Sequence, residues 1–263
     1  MYEIKYYQID AFTDKIFSGN PAKVVQLNEW LEDGLLQNIA RENSVDATAF
    51  FIDKGDNFEL RWFTPDLELD LCGHATLATA HALTTILGYG KDRIIFNTKC
   101  GQLFVYVKNN LYEMDLPERN PIKAELPNFI KESLNKQPTE VLKSRDYILV
   151  YENEEDIRNI RIDKNKFDKG NIDPGGVAIT AKGNDSDFVS RFFIPQATIF
   201  EDPVTGSAHA SLIPYWRNVL NKKEMSAIQL STRKGKLFCT SKEDRVLIAG
   251  KAKTFSEGTL WIE

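Results

Sequence analysis

A cysteine and a histidine flank a glycine in LDLCGHATLATAHA, residues 69–82, the first stretch whose side chains could do chemistry. The small apolar residues that follow predict a helix beginning at Gly73. A helix dipole lowers the pKa of a histidine at its start, so His74 is expected as the neutral imidazole that accepts or relays a proton. The same position lowers the pKa of the Cys72 thiol. The stretch therefore predicts proton transfer, whereas His81 inside this helix, like His209 inside a second predicted helix, is interpreted as a core histidine.

The second stretch, IFEDPVTGSAHAS at residues 199–211, has the same plan with different side chains. Asp202 precedes the helix start predicted at Gly206, where a carboxylate acts either as an acid/base or as an N-terminal cap. Ser207 either donates a hydrogen bond to a ligand or caps the helix. Thr205 occupies the position that a cysteine holds in the first stretch, so the sequence offers no pair of thiols.

Both predicted helix starts expose backbone N–H groups that lack partners within the helix and lie at the positive end of its dipole. Two such starts that face one cleft would hold an anion. Gly73 and Gly206 would let a ligand approach the backbone closely. Because the chain lacks a GxxxxGK[ST] string, a small carboxylate is a better candidate than a nucleotide phosphate.

Several other chemistries are excluded by counting residues. A zinc site needs three or four ligands, and Cys72 with His74 supplies two, so no metal is expected. The string at residues 206–209 is not the GxSxG elbow of a serine hydrolase. No GxGxxG string follows a predicted strand, which excludes a dinucleotide site of that type.

Three motifs recur in the same order at nearly constant spacing, which predicts two structurally equivalent halves. RWFTP at residue 61 recurs as RFFIP at residue 191, GHA at residue 73 recurs as GSA at residue 206, and TKCGQLF at residue 98 recurs as TRKGKLF at residue 232. The spacings of 130, 133 and 134 residues imply a small insertion before the second glycine. Each half is predicted to be a strand, a turn, a buried helix and a further strand.

The buried helices can be placed from their composition. No charged residue occurs from Gly73 to Gly88, and a helix that is apolar on all sides is buried, with Gly88 as its stop. Its counterpart at residues 207–220 contains Pro214, which should kink the helix or limit its regular part.

One amphipathic surface helix and one linker complete the outline. The stretch at residues 28–42 is predicted as the surface helix, with Asn28 as its cap. The Pro-rich and charged segment 117–127 is the predicted linker. We accordingly divide the chain into halves at residues 1–117 and 118–263 and allow the last strand to pack on the first half.

The composition limits the partners. The net charge is −5, and the 33 Lys and Arg residues are scattered without basic runs, so no nucleic acid is expected. No run of roughly eighteen apolar residues is present, so no membrane is expected either. An odd number of widely spaced cysteines and the absence of a signal segment predict reduced thiols in the cytoplasm.

Three segments together resemble the PhzF-like phenazine-biosynthesis family over nearly the whole chain. They are IDAFTDKIFSGNPAKVV at residues 9–25, FTPDLELDLCGHATLA at residues 63–78, and FEDPVTGSAHAS at residues 200–211. The resemblance implies the α+β fold of diaminopimelate epimerase, with two pseudo-equivalent halves that each wrap a mostly antiparallel sheet around a central helix. It also implies a homodimer that acts without a metal or organic cofactor. The best-known member isomerises trans-2,3-dihydro-3-hydroxyanthranilate by moving a proton between ring carbons.

The resemblance also assigns residues. It implies catalytic roles for His74, Asp202 and Ser207, and it places Asn20 in a GNP turn that lines the cleft. The remaining implied substrate-binding positions surround the two helix starts: Gly73, Ala75, Thr205, Gly206 and Ala208.

One position departs from the family pattern. Members typically read S-E-T-x-F after the surface helix, with the Glu as acid/base, but this chain reads VDATAF and places Ala47 there. Asp46 lies one residue away, and on a strand that shift would point it to the opposite face unless a bulge intervened. Asp46 and Cys72 are therefore secondary candidates for the missing acid/base. A general acid/base typically contributes about 10² to 10⁴ in rate, so its loss would matter.

The sequence therefore predicts a cofactor-free isomerase or epimerase that acts by proton transfer on a small cyclic or amino carboxylate. The alternative is a non-catalytic relative that binds small acids or regulates, having kept the anion cradle after losing the base. Incorporation of solvent deuterium into a ligand would separate the two, since binding alone leaves the carbon-bound hydrogen in place.

Overall fold

The computed structural model describes residues 2–172 and 175–263, which form two compact units. Unit 1 comprises Met1–Leu116 and Ile248–Glu263, and unit 2 comprises Pro117–Leu247. Within the described residues, no helix is both long enough and apolar enough to cross a membrane.

Short helices are interspersed among many strands. The elements up to the linker are β1 (Tyr2–Ala11), β2 (Asn20–Leu27), α1 (Asp33–Asn43), β3 (Ala47–Asp53), β4 (Phe58–Phe63), β5 (Glu68–Leu69), α2 (Gly73–His81), a π-helix (Ala82–Ile86), β6 (Arg93–Thr98), β7 (Gly101–Lys108) and β8 (Leu111–Pro117). The later elements are β9 (Ile122–Lys123), α3 (Asn128–Ser133), β10 (Glu140–Lys143), β11 (Tyr147–Val150), α4 (Glu154–Asn159), α5 (Lys164–Phe167), β12 (Val177–Lys182), β13 (Phe188–Phe193), β14 (Glu201–Asp202), a 3₁₀ turn (Gly206–Ala208), α6 (His209–Leu220), β15 (Glu224–Gln229), β16 (Gly235–Ser241), β17 (Arg245–Gly250) and β18 (Ala252–Ile262).

The strands of unit 1 pair in a fixed series around α2. β1 is antiparallel to β2, β2 is parallel to β3, β3 is antiparallel to β4, β4 is antiparallel to β5 and parallel to β6, and β6 is antiparallel to β7. The last strand, β18, is antiparallel to β1. Helix α2 packs against β1, β2, β3 and β18, and all nine of its residues are buried. This confirms a buried helix, and Gly88, at φ +75°, follows its π-helical end.

Unit 2 repeats that series step for step. β10 is antiparallel to β11, β11 is parallel to β12, β12 is antiparallel to β13, β13 is antiparallel to β14 and parallel to β15, and β15 is antiparallel to β16. Its core includes Ile130, Tyr151, Phe167, Ile179 and Phe193. The same six pairings in the same chain order confirm the repeat that the three motifs predict.

The register also locates the insertion. Trp62 pairs with Leu69 in the first half, and Phe192 pairs with Asp202 in the second. The turn between the two strands closes with the Thr64 N–H on the Leu67 carbonyl, and its counterpart closes with the Ile194 N–H on the Phe200 carbonyl. The second turn is three residues longer, which accounts for the change in spacing from 130 to 133.

The prediction for the surface helix is wrong at its start. Helix α1 begins at Asp33, and its N-cap is Glu32, whose side chain makes no capping bond. Asn28 instead lies in the bend after β2, because the chain between them turns and seats Trp30, whose indole N–H donates to Glu59 at 2.8 Å. The predicted apolar face is present, since Leu36 and Ile39 are buried.

Of the two effects predicted for Pro214, a kink or a limit on the regular part of the second buried helix, the limit is wrong, because α6 continues through it to Leu220. A proline in a helix removes the N–H that would bond the carbonyl four residues earlier. That carbonyl belongs to Ala210, and it accepts a bond from the backbone N–H of Arg119 at 3.0 Å. The linker segment thus supplies the donor that the helix lacks.

Candidate active site

The first helix start holds His74 and Cys72 in contact. Cys72 is the N-cap of α2, and its sulfur lies 3.5 Å from His74 Nδ1 and 3.9 Å from Nε2. Both side chains are buried. Burial lowers the pKa of His74 to about 3, so the imidazole is neutral at physiological pH. The direction agrees with the sequence-based expectation, although burial is the cause that accounts for it.

The turn that carries Asn20 depends on a glycine. Gly19 has φ +69°, and a Cβ there would lie 2.1 Å from the backbone carbonyl oxygen of Ala11. Only glycine fits such a position without moving the backbone. The turn delivers Asn20, which is fully buried, as the first residue of β2.

Ala47, which the resemblance places at the position of the family Glu, is fully buried and begins β3. Phe50 and Ile52 of that strand pack in one cluster with α1 residues. Because strand side chains alternate, residue 47 points to the other face of the sheet, the face against which α2 packs. A longer side chain at position 47 would therefore extend toward the helix that carries His74.

The expectation for Asp46 needs correction. The strand begins at Ala47, and Asp46 lies in the bend between α1 and β3, where it is partly exposed. The alternation of a strand therefore does not dictate where its carboxylate points, and no bulge is needed to redirect it. Asp46 thus stays a candidate on structural grounds.

The second helix start is built differently from the first. Gly206, Ser207 and Ala208 form a 3₁₀ turn, and the α-helix proper begins at His209. Ser207 is partly exposed, whereas the glycine and alanine are buried. The prediction of one continuous helix from Gly206 is therefore wrong in its first turn, because three residues wind more tightly there.

Asp202 forms a charge-assisted pair with the neighbouring turn. Its Oδ2 accepts the hydroxyl proton of Thr205 at 2.6 Å. The buried amide of Gln229 bonds three groups of the same turn: its Oε1 accepts from the Thr205 N–H at 2.8 Å, and its Nε2 donates to the Asp202 carbonyl at 2.8 Å and to the Thr205 hydroxyl at 3.1 Å. The carboxylate of Asp202 therefore belongs to a network of side chains, and the N-cap of the 3₁₀ turn is Thr205.

His209 is fully buried and closes the same turn from the helix side. Its Nδ1 lies 2.8 Å from the Thr205 carbonyl, which fixes the proton on that nitrogen. Its Nε2 is buried with no hydrogen-bond partner among the described residues. Burial lowers the pKa of His209 to about 4. The interpretation of His209 as a core residue therefore holds only in part, because it also anchors Thr205.

His81, also interpreted as a core histidine, has both ring nitrogens bonded. Nδ1 lies 3.0 Å from the Tyr112 hydroxyl, and Nε2 lies 3.0 Å from the Thr254 hydroxyl. Burial, with a smaller contribution from the Lys253 charge, lowers its pKa to about 4. These contacts leave it no free group for chemistry.

Matching ion pairs brace the two hairpins that lead to the helix starts. Arg61 Nε and Nη2 donate to the two carboxylate oxygens of Glu68 at 2.7 and 2.9 Å, and Arg191 binds Glu201 with the same two distances. Planar, two-point pairing of this kind fixes geometry as well as charge. Glu201 directly precedes Asp202, so the second brace holds the strand on which the carboxylate lies.

Sequence reasoning missed these braces and Gln229. The repeated motifs contain Arg61 and Arg191, but the glutamates follow at different distances because of the longer second turn. Gln229 stands 24 residues after Thr205, and only the parallel pairing of β13 with β15 brings it to the turn. Within the described residues, no three His, Cys, Asp or Glu side chains lie close enough together to hold a metal ion.

The sequence matches the family of phenazine biosynthesis-like proteins (PhzC-PhzF) over residues 9–258. The chain belongs to this family. An uncharacterized isomerase of Pseudomonas aeruginosa is 44% identical over 258 residues, covering 98% of this chain and 99% of that protein. The crystal structure of a phenazine biosynthesis protein of the PhzF family from Enterococcus faecalis matches with a TM-score of 0.93 at 42% identity, covering 99% of this chain and 100% of that chain.

The fold extends to more distant proteins. A probable proline racemase from Agrobacterium radiobacter matches with a TM-score of 0.64 at 7% identity, covering 99% of this chain and 93% of that chain. At that identity the likeness concerns the fold alone. The fold is thus the α+β, diaminopimelate epimerase-like one that the sequence predicts, in a family that includes proteins named as isomerases.

Proposed function

We propose that this protein is a cofactor-free isomerase or epimerase that moves a proton on a small cyclic or amino carboxylate. One observation carries the proposal. Both halves brace a hairpin with the same arginine–glutamate pair and then begin a helical segment at a glycine, an α-helix in the first half and a 3₁₀ turn leading into α6 in the second, yet the side chains at the two starts differ. One start holds the neutral imidazole of His74, and the other holds the carboxylate of Asp202.

The proposal assigns the two starts complementary roles. Backbone N–H groups at Gly73 and Ala75, and at Gly206 and Ala208, bind the substrate carboxylate, as helix N-termini bind anions. Duplicated braces favour this role, because both starts are then held rigid before a ligand arrives, and rigid donors need no rearrangement as charge develops.

Proton transfer is assigned to three side chains. Asp202, which accepts a hydroxyl proton from Thr205, acts as the ionised base, and Ser207 donates to the substrate. His74, neutral at physiological pH, donates or relays a proton at a heteroatom of the substrate. Asn20 orients the substrate from the turn before β2.

We infer that position 47, Ala47 in this chain, is where the family supplies an acid/base. We propose that Asp46 takes over part of that role, with Cys72 as the second candidate. The Cys72 sulfur contacts His74, which could accept the thiol proton.

We further propose that the enzyme works as a homodimer in the cytoplasm. No disulfide joins its three cysteines, which suits a reducing compartment. Light scattering of the purified protein tests the first point, and a molecular mass near 30 kDa would contradict it.

The decisive test of the proposed function separates binding from turnover. The protein, treated with a chelator in D₂O, is incubated with trans-2,3-dihydro-3-hydroxyanthranilate, proline and diaminopimelate, and proton NMR follows each carbon-bound hydrogen. Exchange of a hydrogen in any of them, abolished in Asp202→Asn, supports the isomerase. Saturation transfer to a compound that never exchanges would favour the alternative, a small-acid-binding or regulatory relative.

A further inference from the structure

Gln229 is the last residue of β15 and lies far from both helix starts in sequence, yet its amide makes three bonds to the Asp202–Thr205 turn. Only 1% of the residue is exposed, so these bonds form away from water. β15 pairs in parallel with β13, where Ser190 lies opposite Gln229, and this pairing brings the amide to the turn. The sheet therefore delivers a rigid amide to a turn that carries a proposed catalytic carboxylate.

The orientation of the amide follows from its partners. The Thr205 N–H can only donate, so it must face Oε1 of Gln229. The Asp202 carbonyl can only accept, so it must face Nε2. Both constraints give the same orientation, and Nε2 consequently donates to the Thr205 hydroxyl oxygen at 3.1 Å.

That donation occupies one of the two lone pairs of the Thr205 hydroxyl. The hydroxyl proton lies on the bond to Asp202 Oδ2 at 2.6 Å, because an ionised carboxylate can only accept. The distance is that of a charge-assisted bond to a carboxylate. His209 holds the Thr205 carbonyl at 2.8 Å, so every polar group of the threonine is engaged.

The first half lacks the equivalent device. Register equivalence places Thr98 at the position of Gln229, and not at that of Thr232 as the motif pairing implied, because Asn97 pairs with Glu59 as Ile228 pairs with Val189 and the following turn is longer in the second half. The Thr98 hydroxyl bonds the Gly101 carbonyl of its own turn at 2.8 Å. We call the three bonds from Gln229 to the Asp202–Thr205 turn the amide clip. The clip is present in the half that has Asp202 at this register position and absent from the half that has Leu69 there.

We propose that Gln229 is a positioning residue for the isomerase reaction, acting through Thr205 to hold Asp202 as an oriented, ionised base. This inference rests on the proposed function. Its chemical content is one hydrogen bond: the amide of Gln229 holds the turn and occupies one lone pair of the threonine hydroxyl, so the hydroxyl proton is held toward the carboxylate and favours its charged form.

Three matched variants separate a positioning role of Gln229 from a contribution to protein stability alone. Gln229→Met keeps the length of the side chain and removes all three bonds, and Thr205→Val removes only the hydroxyl. Thr205→Ser keeps the hydroxyl and serves as the rescue. The control is Gln37→Met, since Gln37 also clamps a turn, donating to the carbonyls of Thr64 and Pro65 at 2.8 and 3.1 Å.

The first readout is independent of turnover. Carboxyl ¹³C NMR follows the titration of Asp202, assigned with Asp202→Asn. The midpoint should move to higher pH by about one unit in Gln229→Met and Thr205→Val, the effect of losing one bond to the charged form, and stay in place in Thr205→Ser and Gln37→Met. The neighbouring charges, Glu201 with Arg191, are the same in all variants.

The second readout is deuterium exchange of whichever test compound the natural protein turns over: trans-2,3-dihydro-3-hydroxyanthranilate, proline or diaminopimelate. Gln229→Met and Thr205→Val should each lower kcat about 10- to 100-fold with KM nearly unchanged, the signature of an interaction used in the transition state. The double variant should be no slower than either single one, because the two residues act as a unit. Thr205→Ser should recover most of the loss.

The outcomes distinguish this inference from the proposed function. If the natural protein exchanges no compound but the Asp202 midpoint moves as expected, the positioning role of Gln229 is supported and the proposed isomerase function is wrong. If exchange occurs and Gln229→Met titrates and turns over like the natural protein, the positioning role is wrong and the isomerase function is supported. Multiplicative losses in the double variant would also overturn it. Should Gln229→Met fail to fold, Thr205→Val against Thr205→Ser decides.

Discussion

Lowering the pH from 7 to 5 should destabilise this protein through three buried, neutral histidines. Burial lowers the pKa of His74 to about 3 and those of His81 and His209 to about 4, from an ordinary value of 6.5. His209 has a structural reason to resist protonation, since its Nε2 would become a buried donor and no acceptor is bonded to it among the described residues.

The sign and size follow from proton linkage. Below pH 6.5 the unfolded chain binds protons at these histidines and the folded protein does not, so stability is lost as the pH falls toward the folded pKa values. Between pH 7 and 5 each histidine contributes about 2 kcal/mol, taking 1.36 kcal/mol per pKa unit. Together they remove roughly 6 kcal/mol, which is comparable to the whole stability of many domains.

The assay is urea unfolding at pH 7 and pH 5 of the natural protein and of His209→Asn. The asparagine amide can still donate to the Thr205 carbonyl, so the turn keeps its anchor while the titrating group is gone. The loss between the two pH values should shrink by about 2 kcal/mol in this variant.

A matched control distinguishes titration from general weakening of the core. Thr180→Val removes a fully buried hydroxyl that accepts from the Trp216 indole at 2.9 Å, and it should destabilise the protein equally at both pH values. A His209→Asn protein that loses as much stability between pH 7 and 5 as the natural one would refute the reasoning.

Three further predictions concern the hairpins and the missing acid/base. Ala47→Glu should raise activity on trans-2,3-dihydro-3-hydroxyanthranilate roughly 10²-fold or more, measured by product formation, and strong activity in the natural protein that survives Asp46→Asn would show that the missing base is misassigned. Gly19→Ala should lower the free energy of unfolding by more than about 2 kcal/mol, because the added Cβ meets a backbone carbonyl oxygen at 2.1 Å. A free energy of unfolding, measured in urea, that lies within roughly 0.5 kcal/mol of the natural protein's would contradict this. Arg191→Met should cost about 2 kcal/mol in the same assay, since it leaves Glu201 partly buried without its cation, and Arg191→Lys should restore only part.

The repeat could be predicted from sequence because its signals are local. A strand closed by proline, a glycine and an uncharged run each have a pattern that survives divergence between the halves. The helix from Gly73 was predictable for the same reason, since its nine residues are buried on every side.

What could not be predicted depends on contacts between distant segments. Asn28 has the residue type of a cap, but the packing of Trp30 on Glu59 moves the helix start to Asp33. Pro214 is tolerated because Arg119 bonds the carbonyl that it leaves without a helical partner. Neither partner can be inferred from the residues beside the motif.

In the candidate site, too, the features with local sequence signals could be predicted and those that depend on distant contacts could not. The glycine starts and the residues beside them were predictable, because helix starts have a recognisable composition. Gln229 was not, since a glutamine near the end of a strand carries no signal until the register of β15 is known. The three-residue difference between the two turns likewise hid the correspondence of Glu68 with Glu201.

Under the proposed function, His74 and Asp202 both serve proton transfer while backbone amides bind the carboxylate. The most direct test is the rate of deuterium incorporation, together with the dissociation constant, for one exchanging compound in His74→Asn and in Asp202→Asn. We expect exchange to fall about 10²-fold or more in each variant while the dissociation constant changes less than about threefold. Undiminished exchange in either variant would contradict this assignment.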